Sequence, residues 1–317
     1  MTTTPPGPNT PPDPNDPYWG GQPGRSAEGP QGPGPQYPPQ GSYPPSGGFP
    51  QSSDPLVTSD ISGWWRAGTE IFQRSWRTVG ILMLVGVFIP SLVLGSTFAF
   101  TSEPMTATWD GGQFGFSFAG NLFPSFLVGI IMGYLIAAAW SGALRAIVKE
   151  AAGQPVSIGE SFAYGFRRGV PLWGWGILAY LTVSVGLVLC ILPGLYFLVS
   201  LSLLAPAATF ERGSPYARSF KLVNRNFGGA LGRLILAWLV VAVFSCVVSL
   251  IGGLLVAAFG LTGAALTVVT LVVNVIVSLV MLLPAVWMVG VVLVTYVWAR
   301  GKVEPVSTHS LAAQADR

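Results

Sequence analysis

The chain has 317 residues, of which 51% are hydrophobic and only 9% carry a charge, and its formal net charge is +3. A soluble domain carries about 25% charged residues, and a soluble fold of this length would leave much of this apolar surface uncovered. The bilayer is therefore the predicted solvent of this protein. Cys190 and Cys246 both lie inside apolar runs, which favours small membrane hydrophobes over a disulfide or a metal pair.

The first 55 residues differ in composition from everything that follows. They are rich in proline, glycine, glutamine, serine and tyrosine, with almost no aliphatic side chains. Such a segment cannot bury enough apolar area to offset its chain entropy, so it is predicted to be a disordered tail. The sequence QYPP at 36–39 is echoed by SYPP at 42–45, and polyproline II segments can bind aromatic-lined partners. A solvated tail without a dedicated partner is the alternative. No signal peptide is predicted, because the start lacks a basic and an apolar region.

Six apolar segments have the length of membrane spans. About 20 apolar residues cross a hydrocarbon core of about 30 Å. The predicted spans cover residues 78–100, 122–143, 172–192, 195–210, 231–256 and 268–298. A loop is predicted at 101–120, and turn signals stand at Pro193-Gly194 and at 260–263. The predicted fold class is an all-α integral membrane protein with about six transmembrane helices.

An amphipathic helix is predicted before each pair of spans, starting near residues 60, 157 and 214, which suggests a threefold structural repeat. The clearest one has Ser214 as cap and Pro215 at the first helical position. An apolar stripe at helical spacing follows, consisting of Tyr216, Phe220, Val223 and Phe227. Cations occupy the opposite side, which is typical of a helix lying in a membrane interface. A polar loop is the alternative interpretation.

Two predicted spans carry small residues at i+4 spacing, a pattern that lets helix backbones approach closely in lipid. The second span has Gly129, Gly133, Ala137 and Ser141. The fifth span has Ser245, Ser249 and Gly253. These seven residues are the predicted helix-packing positions.

Orientation is predicted from the distribution of lysine and arginine. None lies between spans one and two, three and four, or five and six. By the positive-inside rule, both termini are then cytoplasmic in a multi-pass protein of the cell membrane. The predicted organisation is a cytoplasmic tail at 1–55, a six-helix membrane domain at 56–303 and a short cytoplasmic tail at 304–317.

The side chains that catalysis needs are scarce. The predicted spans lack Asp, Glu, His and Lys, and their only arginine, Arg233, is at an edge. This composition argues against an enzyme, and no cofactor or metal is predicted. A basic surface remains, with candidate contacts to anionic lipid headgroups or a partner at Arg212, Arg218, Lys221, Arg225, Arg233, Arg167 and Arg168. Alternatively, these charges only set the topology.

One long motif resembles a known family. The run LPGLYFLVSLSLLAPAA at 192–208, with FERGSP at 210–215 and ARSFKLV at 217–223, resembles the membrane domain found with some glycerophosphoryl diester phosphodiesterases. TYVWAR at 295–300 is similar to that domain's closing motif without its usual acidic residue, and the tail is similar to actinobacterial proline- and glycine-rich transmembrane proteins. The catalytic domain is absent from this chain, so the resemblance implies a polytopic membrane protein and not an esterase.

The predicted function is non-catalytic. We expect membrane organisation or partner recruitment through the cytoplasmic tail and the basic interfacial helices. The alternative is a permease or lipid-handling protein with a cavity between helix pairs. The expected partners are anionic membrane lipids and a cytoplasmic protein that binds the tail. No nucleic acid is expected as a partner, and the sequence does not define an oligomeric state.

Overall fold

A computed structural model describes residues 54–58, 60–92, 107–110, 113–116, 122–260 and 262–316. Within these residues, six helices are long and apolar enough to cross a membrane: Ile61–Leu92, Phe126–Ala151, Ile158–Leu189, Ile191–Phe210, Phe227–Ala258 and Ala265–Gly301. The predicted fold class of an all-α membrane protein with six spans is therefore confirmed. The predicted disorder and the two Tyr-Pro-Pro sequences concern residues 1–53, which lie outside the described residues.

The described part of the chain forms ten α-helices. They are α1 Ile61–Met83, α2 Leu122–Ala151, α3 Ile158–Leu189, α4 Ile191–Ser200, α5 Leu204–Phe210, α6 Pro215–Arg225, α7 Phe227–Ala258, α8 Gly263–Val280, α9 Leu282–Gly301 and α10 Thr308–Ala315. A π-helical segment, Leu84–Phe88, continues α1. The fourth span consists of α4 and α5, and α8 and α9 contribute to the sixth.

Two short strands occur where a loop was predicted between the first two spans. Strands β1 Ala107–Asp110 and β2 Gln113–Phe116 pair in antiparallel register, with Ala107 opposite Phe116. The sequence between them is Gly111-Gly112, a pair that favours the tight turns of hairpins. The loop prediction overlooked this signal.

The three predicted amphipathic segments do not share one structure. Ser214 accepts a hydrogen bond from Ala217 N, and α6 is a separate helix because the backbone leaves the helical region at Asn226. Ser157 caps α3 as predicted, but α3 continues into the membrane span through Pro171. Helix α1 likewise enters the first span without a break. Only the third unit therefore has a separate helix before its span.

The apolar face of α1 packs against α9. Trp64 is fully buried and donates a hydrogen bond from Nε1 to Thr295 Oγ1 at 2.9 Å. A Cβ added to Gly68 would lie 3.0 Å from Val291, and one added to Gly290 would lie 3.0 Å from Ile71. Much of this face therefore contacts protein, although it was predicted to lie in the membrane interface, and only Trp65 and Trp76 of its tryptophans remain exposed among the described residues.

Helices α2 and α3 approach through small residues. A Cβ added to Gly165 would lie 2.3 Å from the Ala138 carbonyl oxygen, and one added to Gly142 would lie 2.7 Å from the Ser161 oxygen. The predicted helix-packing residues of α2 have different surroundings. Ala137 and Ser141 are buried, and Gly133 faces Trp173. A Cβ added to Gly129 would meet no other group within 4 Å. The backbones of α2 and α3 thus come closest at Ala138 and Gly142, each one position after a predicted packing residue. On α3 the contact is made by Ser161, Gly165 and Gly169, which the prediction missed.

On α7, too, the helix contact lies beside the predicted packing residues. Ser249 is exposed, and a Cβ on Gly253 would meet nothing. Contact with α8 runs through Gly252, whose added Cβ would lie 2.9 Å from Val277. Ser245, the remaining predicted member, lies 3.6 Å from Met281 Sδ. Small-residue spacing indicates a packing face but cannot choose between adjacent faces when both offer small residues.

The main core of the described chain surrounds α9. Its Val289, Val291, Leu293, Val294 and Tyr296 are all fully buried. In contrast, α7 and α8 expose rows of large apolar side chains, as expected for faces that contact lipid. Cys190 and Cys246 are both free and exposed.

Candidate functional site

The charged side chains gather at one end of the helices. Apart from Asp110 at the end of β1, all the charged residues that the structure describes lie in four segments, residues 54–77, 145–168, 211–233 and 300–316. Ion pairs and hydrogen bonds join these segments to one another, and α10 packs on α2 and α5 at their centre. We call this region the charged end. It is the candidate functional site because the rest of the described chain is almost entirely apolar.

The first cluster at the charged end surrounds Glu211. Tyr296 donates a hydrogen bond from its hydroxyl to Glu211 Oε1 at 2.6 Å, and Arg218 Nε lies 2.6 Å from Glu211 Oε2. Arg218 also pairs with Glu304, which in turn pairs with Arg300. Two carboxylates and two guanidinium groups therefore compensate one another across two of the four segments, with the side chains of Glu211, Arg218 and Arg300 largely buried. Such a network orients the helix ends on which it lies.

The second cluster joins α2, α3 and the end of α10. Asp316 lies 2.6 Å from Lys149 Nζ and 3.2 Å from Arg145 Nη2. Arg145 also lies 3.8 Å from Glu160 and above the ring of Tyr164, with 5.3 Å from its guanidinium carbon to the ring centroid. The side chains of Arg145 and Lys149 are only 10% and 12% exposed. Two cations are therefore enclosed beneath a single aspartate.

A third contact joins the two termini of the described domain. Asp54 accepts hydrogen bonds from Thr308 N at 2.8 Å and from Thr308 Oγ1. Its carboxylate thus lies at the N-terminus of α10, where the unpaired N–H groups and the helix dipole favour negative charge. Leu56, two residues later, is fully buried in the core. The point where the N-terminal tail joins the domain is therefore held against α10.

Two carboxyl groups of these clusters, those of Glu304 and Asp316, have a lowered pKa. Burial raises the pKa of Glu304, but the hydrogen bonds and charges of Arg300 and Arg218 outweigh it and hold this pKa below its ordinary value of 4.5. The hydrogen bond from Lys149 lowers the pKa of Asp316 below its ordinary 3.8, against an opposing effect of burial. Both groups are therefore anionic in the folded protein at neutral pH.

The structure divides the predicted cations into two sets. Arg218 is ion-paired, and Arg233 is buried with its guanidinium carbon 3.8 Å from the centroid of Trp298. Four of the predicted cations are exposed and have no ion pair among the described residues: Arg167, Arg212, Lys221 and Arg225. Arg168 is half-buried beside Tyr164. The predicted basic surface is thus narrower than the sequence indicated, because two of its members pack inside the protein.

The aromatic stripe of α6 contacts other helices. The Tyr216 ring lies 6.3 Å from Trp175, and its hydroxyl is 3.2 Å from Thr182 Oγ1. Tyr196 of α4 lies 5.7 Å from the rings of both Phe220 and Phe227. Tyr216, Phe220 and Phe227 are half-buried in this aromatic cluster, so α6 is attached to the helix bundle on its apolar side.

Sequence reasoning missed α10 altogether and assigned its residues to a tail. The helix buries Leu311, Ala312 and Ala315 completely. Its capping box, formed by Ser307 and Ser310, is present in the sequence, and so is the spacing of its apolar residues. The helix has only eight residues, which is too short to be stable alone in water. Its existence therefore depends on tertiary contacts.

Two further observations bear on chemistry. Among the residues that the structure describes, no group of three or more His, Cys, Asp or Glu side chains is placed to hold a metal ion. A small crevice between α1 and α2, lined in part by Pro55, Glu70, Arg74 and Ile147, has room for about one water molecule.

No family model, curated protein or solved structure matches this chain. The resemblance to the phosphodiesterase membrane domain therefore stays a prediction.

Proposed function

We propose that this chain is a non-catalytic, multi-pass protein of the cell membrane that recruits a partner or organises the membrane at its charged end. The observation that carries the proposal is the attachment of Asp54 and Leu56 to the folded domain, next to α10. This attachment places Asp54, where the tail joins the folded domain, at the charged end. A partner that binds the Pro-rich tail would then be held close to the membrane surface.

The charged end is proposed to face the cytosol. Arginine and lysine are retained on the cytoplasmic side during insertion, and all those described lie at this end. A test is to replace Cys190 and Cys246 by serine, introduce Ser307→Cys, and label intact cells with a membrane-impermeant thiol reagent. Ser307 is exposed, so labelling should require cell disruption. Labelling of intact cells would overturn this orientation.

The exposed cations of α6 and the loop before it are proposed to contact anionic headgroups. Arg212, Lys221 and Arg225 are exposed, whereas Arg218 on the same helix is held by Glu211 and Glu304. A cation near an anionic leaflet contributes roughly 1 kcal/mol, or about fivefold in affinity. Changing the three exposed residues to glutamine should reduce retention of phosphatidylglycerol in native mass spectrometry. The matched variant Arg218→Gln should retain it, and equal loss in both would argue against these contacts.

Recruitment is tested by comparing the full chain with a chain that lacks residues 1–53. A stoichiometric protein partner that copurifies only with the full chain, and is then reconstituted from pure components, would support the proposal. A lipid or solute retained by both forms, with no partner on either, would instead favour the alternative of a permease or lipid-handling protein.

A further inference from the structure

Arg145 and Lys149 form an enclosed cationic recess on α2. Both side chains are close to nine-tenths buried, and the ring of Tyr164 covers one side of the guanidinium group. Among the described residues, the carboxylates paired with these two cations are those of Asp316 and Glu160, and Glu160 is 68% exposed and lies 3.8 Å from Arg145 Nη2. Arg145 Nε and Nη1 are buried, and the part of the chain that the structure describes gives them no hydrogen-bond partner. The recess therefore has hydrogen-bond donors that Asp316 does not use.

Helix α10 closes this recess with its own carboxylate. Asp316 occupies the position of an anionic ligand between the two cations, at 2.6 Å from Lys149 and 3.2 Å from Arg145. A single carboxylate is a small occupant for a guanidinium and an ammonium group. Inorganic phosphate has more terminal acceptor oxygens and a larger charge than a carboxylate. A phosphodiester headgroup carries one charge, like a carboxylate, but its tetrahedral phosphate has two further ester oxygens. Both forms suit a guanidinium group beside an ammonium group.

The opposite end of α10 is held by the N-terminal segment. Asp54 accepts the Thr308 N–H and hydroxyl, and the apolar face of α10 is buried between these two polar ends. A helix of this length persists only while its contacts persist. Loss of the Asp54 contact should therefore loosen Asp316 at the other end of α10.

We propose that Arg145 and Lys149 form a binding site for a phosphate group, which α10 covers as a built-in competitor and Asp54 holds shut. The site is distinct from the exposed cations of α6, which remain accessible whether or not α10 is docked. Displacement of α10 exchanges the Asp316 carboxylate for the phosphate of a lipid headgroup or of a free anion.

The test uses the full chain in a neutral detergent, with inorganic phosphate and short-chain phosphatidylglycerol as separate probes. Binding is measured by isothermal calorimetry. Asp316→Asn removes the competing charge and should raise affinity about tenfold. Adding Lys149→Gln to that variant should abolish the gain. Asp54→Ala should also raise affinity, because it loosens α10. The matched change Asp60→Ala, which removes the cap of α1, should leave affinity unchanged.

The two probes identify the source of the phosphate. A gain for both probes assigns the site to phosphate in general, and a gain for the lipid alone assigns it to a headgroup. No gain for either probe in Asp316→Asn and in Asp54→Ala would overturn the proposal, as would a gain that survives Lys149→Gln. Hydrogen exchange of residues 308–316 provides a second measurement. Asp54→Ala should accelerate exchange there, and Asp60→Ala should not.

Discussion

The contact of α2 with α3 offers a sharp test of close helix packing. A methyl group added at Gly165 would place its Cβ 2.3 Å from the Ala138 carbonyl oxygen and 3.2 Å from the backbone nitrogen of Gly142. Both atoms belong to the backbone of α2, so no side-chain rotation can relieve the clash. Because carbon and oxygen are normally in contact at about 3.4 Å or more, the helices must separate locally by about 1 Å.

The expected cost of Gly165→Ala follows from that separation. Overpacking of a well-packed interior costs about 1–3 kcal/mol, and here the upper part of the range applies because the obstructing atoms are backbone. For a protein of this size, 1 kcal/mol corresponds to a shift of roughly 2–4 °C in melting temperature. We therefore expect Gly165→Ala to lower the melting temperature by roughly 5–10 °C.

The matched control is Gly174→Ala on the same helix. A Cβ at Gly174 would meet no other group within 4 Å, and alanine is favoured over glycine inside a helix by roughly 0.5–1 kcal/mol. Its melting temperature should be unchanged or slightly raised. Both variants are compared with the wild-type protein by thermal unfolding in one detergent. Equal shifts in the two variants would refute the reasoning, because only the α2 contact distinguishes the two positions.

Three further predictions concern polar groups. Arg218→Gln should lower the melting temperature, because it leaves the carboxylates of Glu211 and Glu304 without the cation that they share. Lys221→Gln, on the exposed face of the same helix, should leave the melting temperature equal to that of wild type. Equal effects of the two changes would contradict the division into paired and exposed cations. Folding lowers the pKa values of Glu304 and Asp316, so the ion pairs of these two residues contribute their full stability above the ordinary pKa values of 4.5 and 3.8. That stability is lost as the pH falls through the lower pKa values of the folded state, and the melting temperature should therefore drop below about pH 4. A melting temperature that stays constant between about pH 6 and pH 3 would contradict this. Trp64→Phe should destabilise the protein by about 1–3 kcal/mol, because Thr295 Oγ1 then loses the hydrogen bond that it accepts from the indole N–H. A melting temperature equal to that of wild type would contradict a contribution of this hydrogen bond to stability.

Hydropathy and charge distribution in the sequence determined the fold class. Long uncharged runs require helices in a bilayer, because every backbone N–H and C=O must be satisfied within the segment. Local signals also located the caps at Ser157 and Ser214 correctly, because a cap depends on the backbone a few residues away. These features needed no knowledge of which helices are neighbours.

Tertiary structure decided which face of each helix is buried. Residues 61–77 have the same amphipathic pattern whether the apolar face meets lipid or α9, and only the packing of Trp64 against Thr295 distinguishes the two. For the same reason, the sequence could not show that Arg218 is paired internally while Lys221 is exposed. The sequence alone cannot tell whether each of two charged residues on one helix is paired or exposed, because this depends on the neighbouring helices.

The C-terminal helix α10 shows most clearly how local sequence signals differ from tertiary contacts in what they determine. Its capping box and apolar spacing are local signals, yet eight residues cannot form a stable helix without support from outside. That support comes from Asp54, about 250 residues earlier in the chain, and from Arg145 and Lys149 on α2. Composition and periodicity thus determined a six-span membrane protein with a basic end. Contacts between distant segments decided which of its cations are enclosed and which remain exposed, because burial depends on the neighbours that the fold supplies.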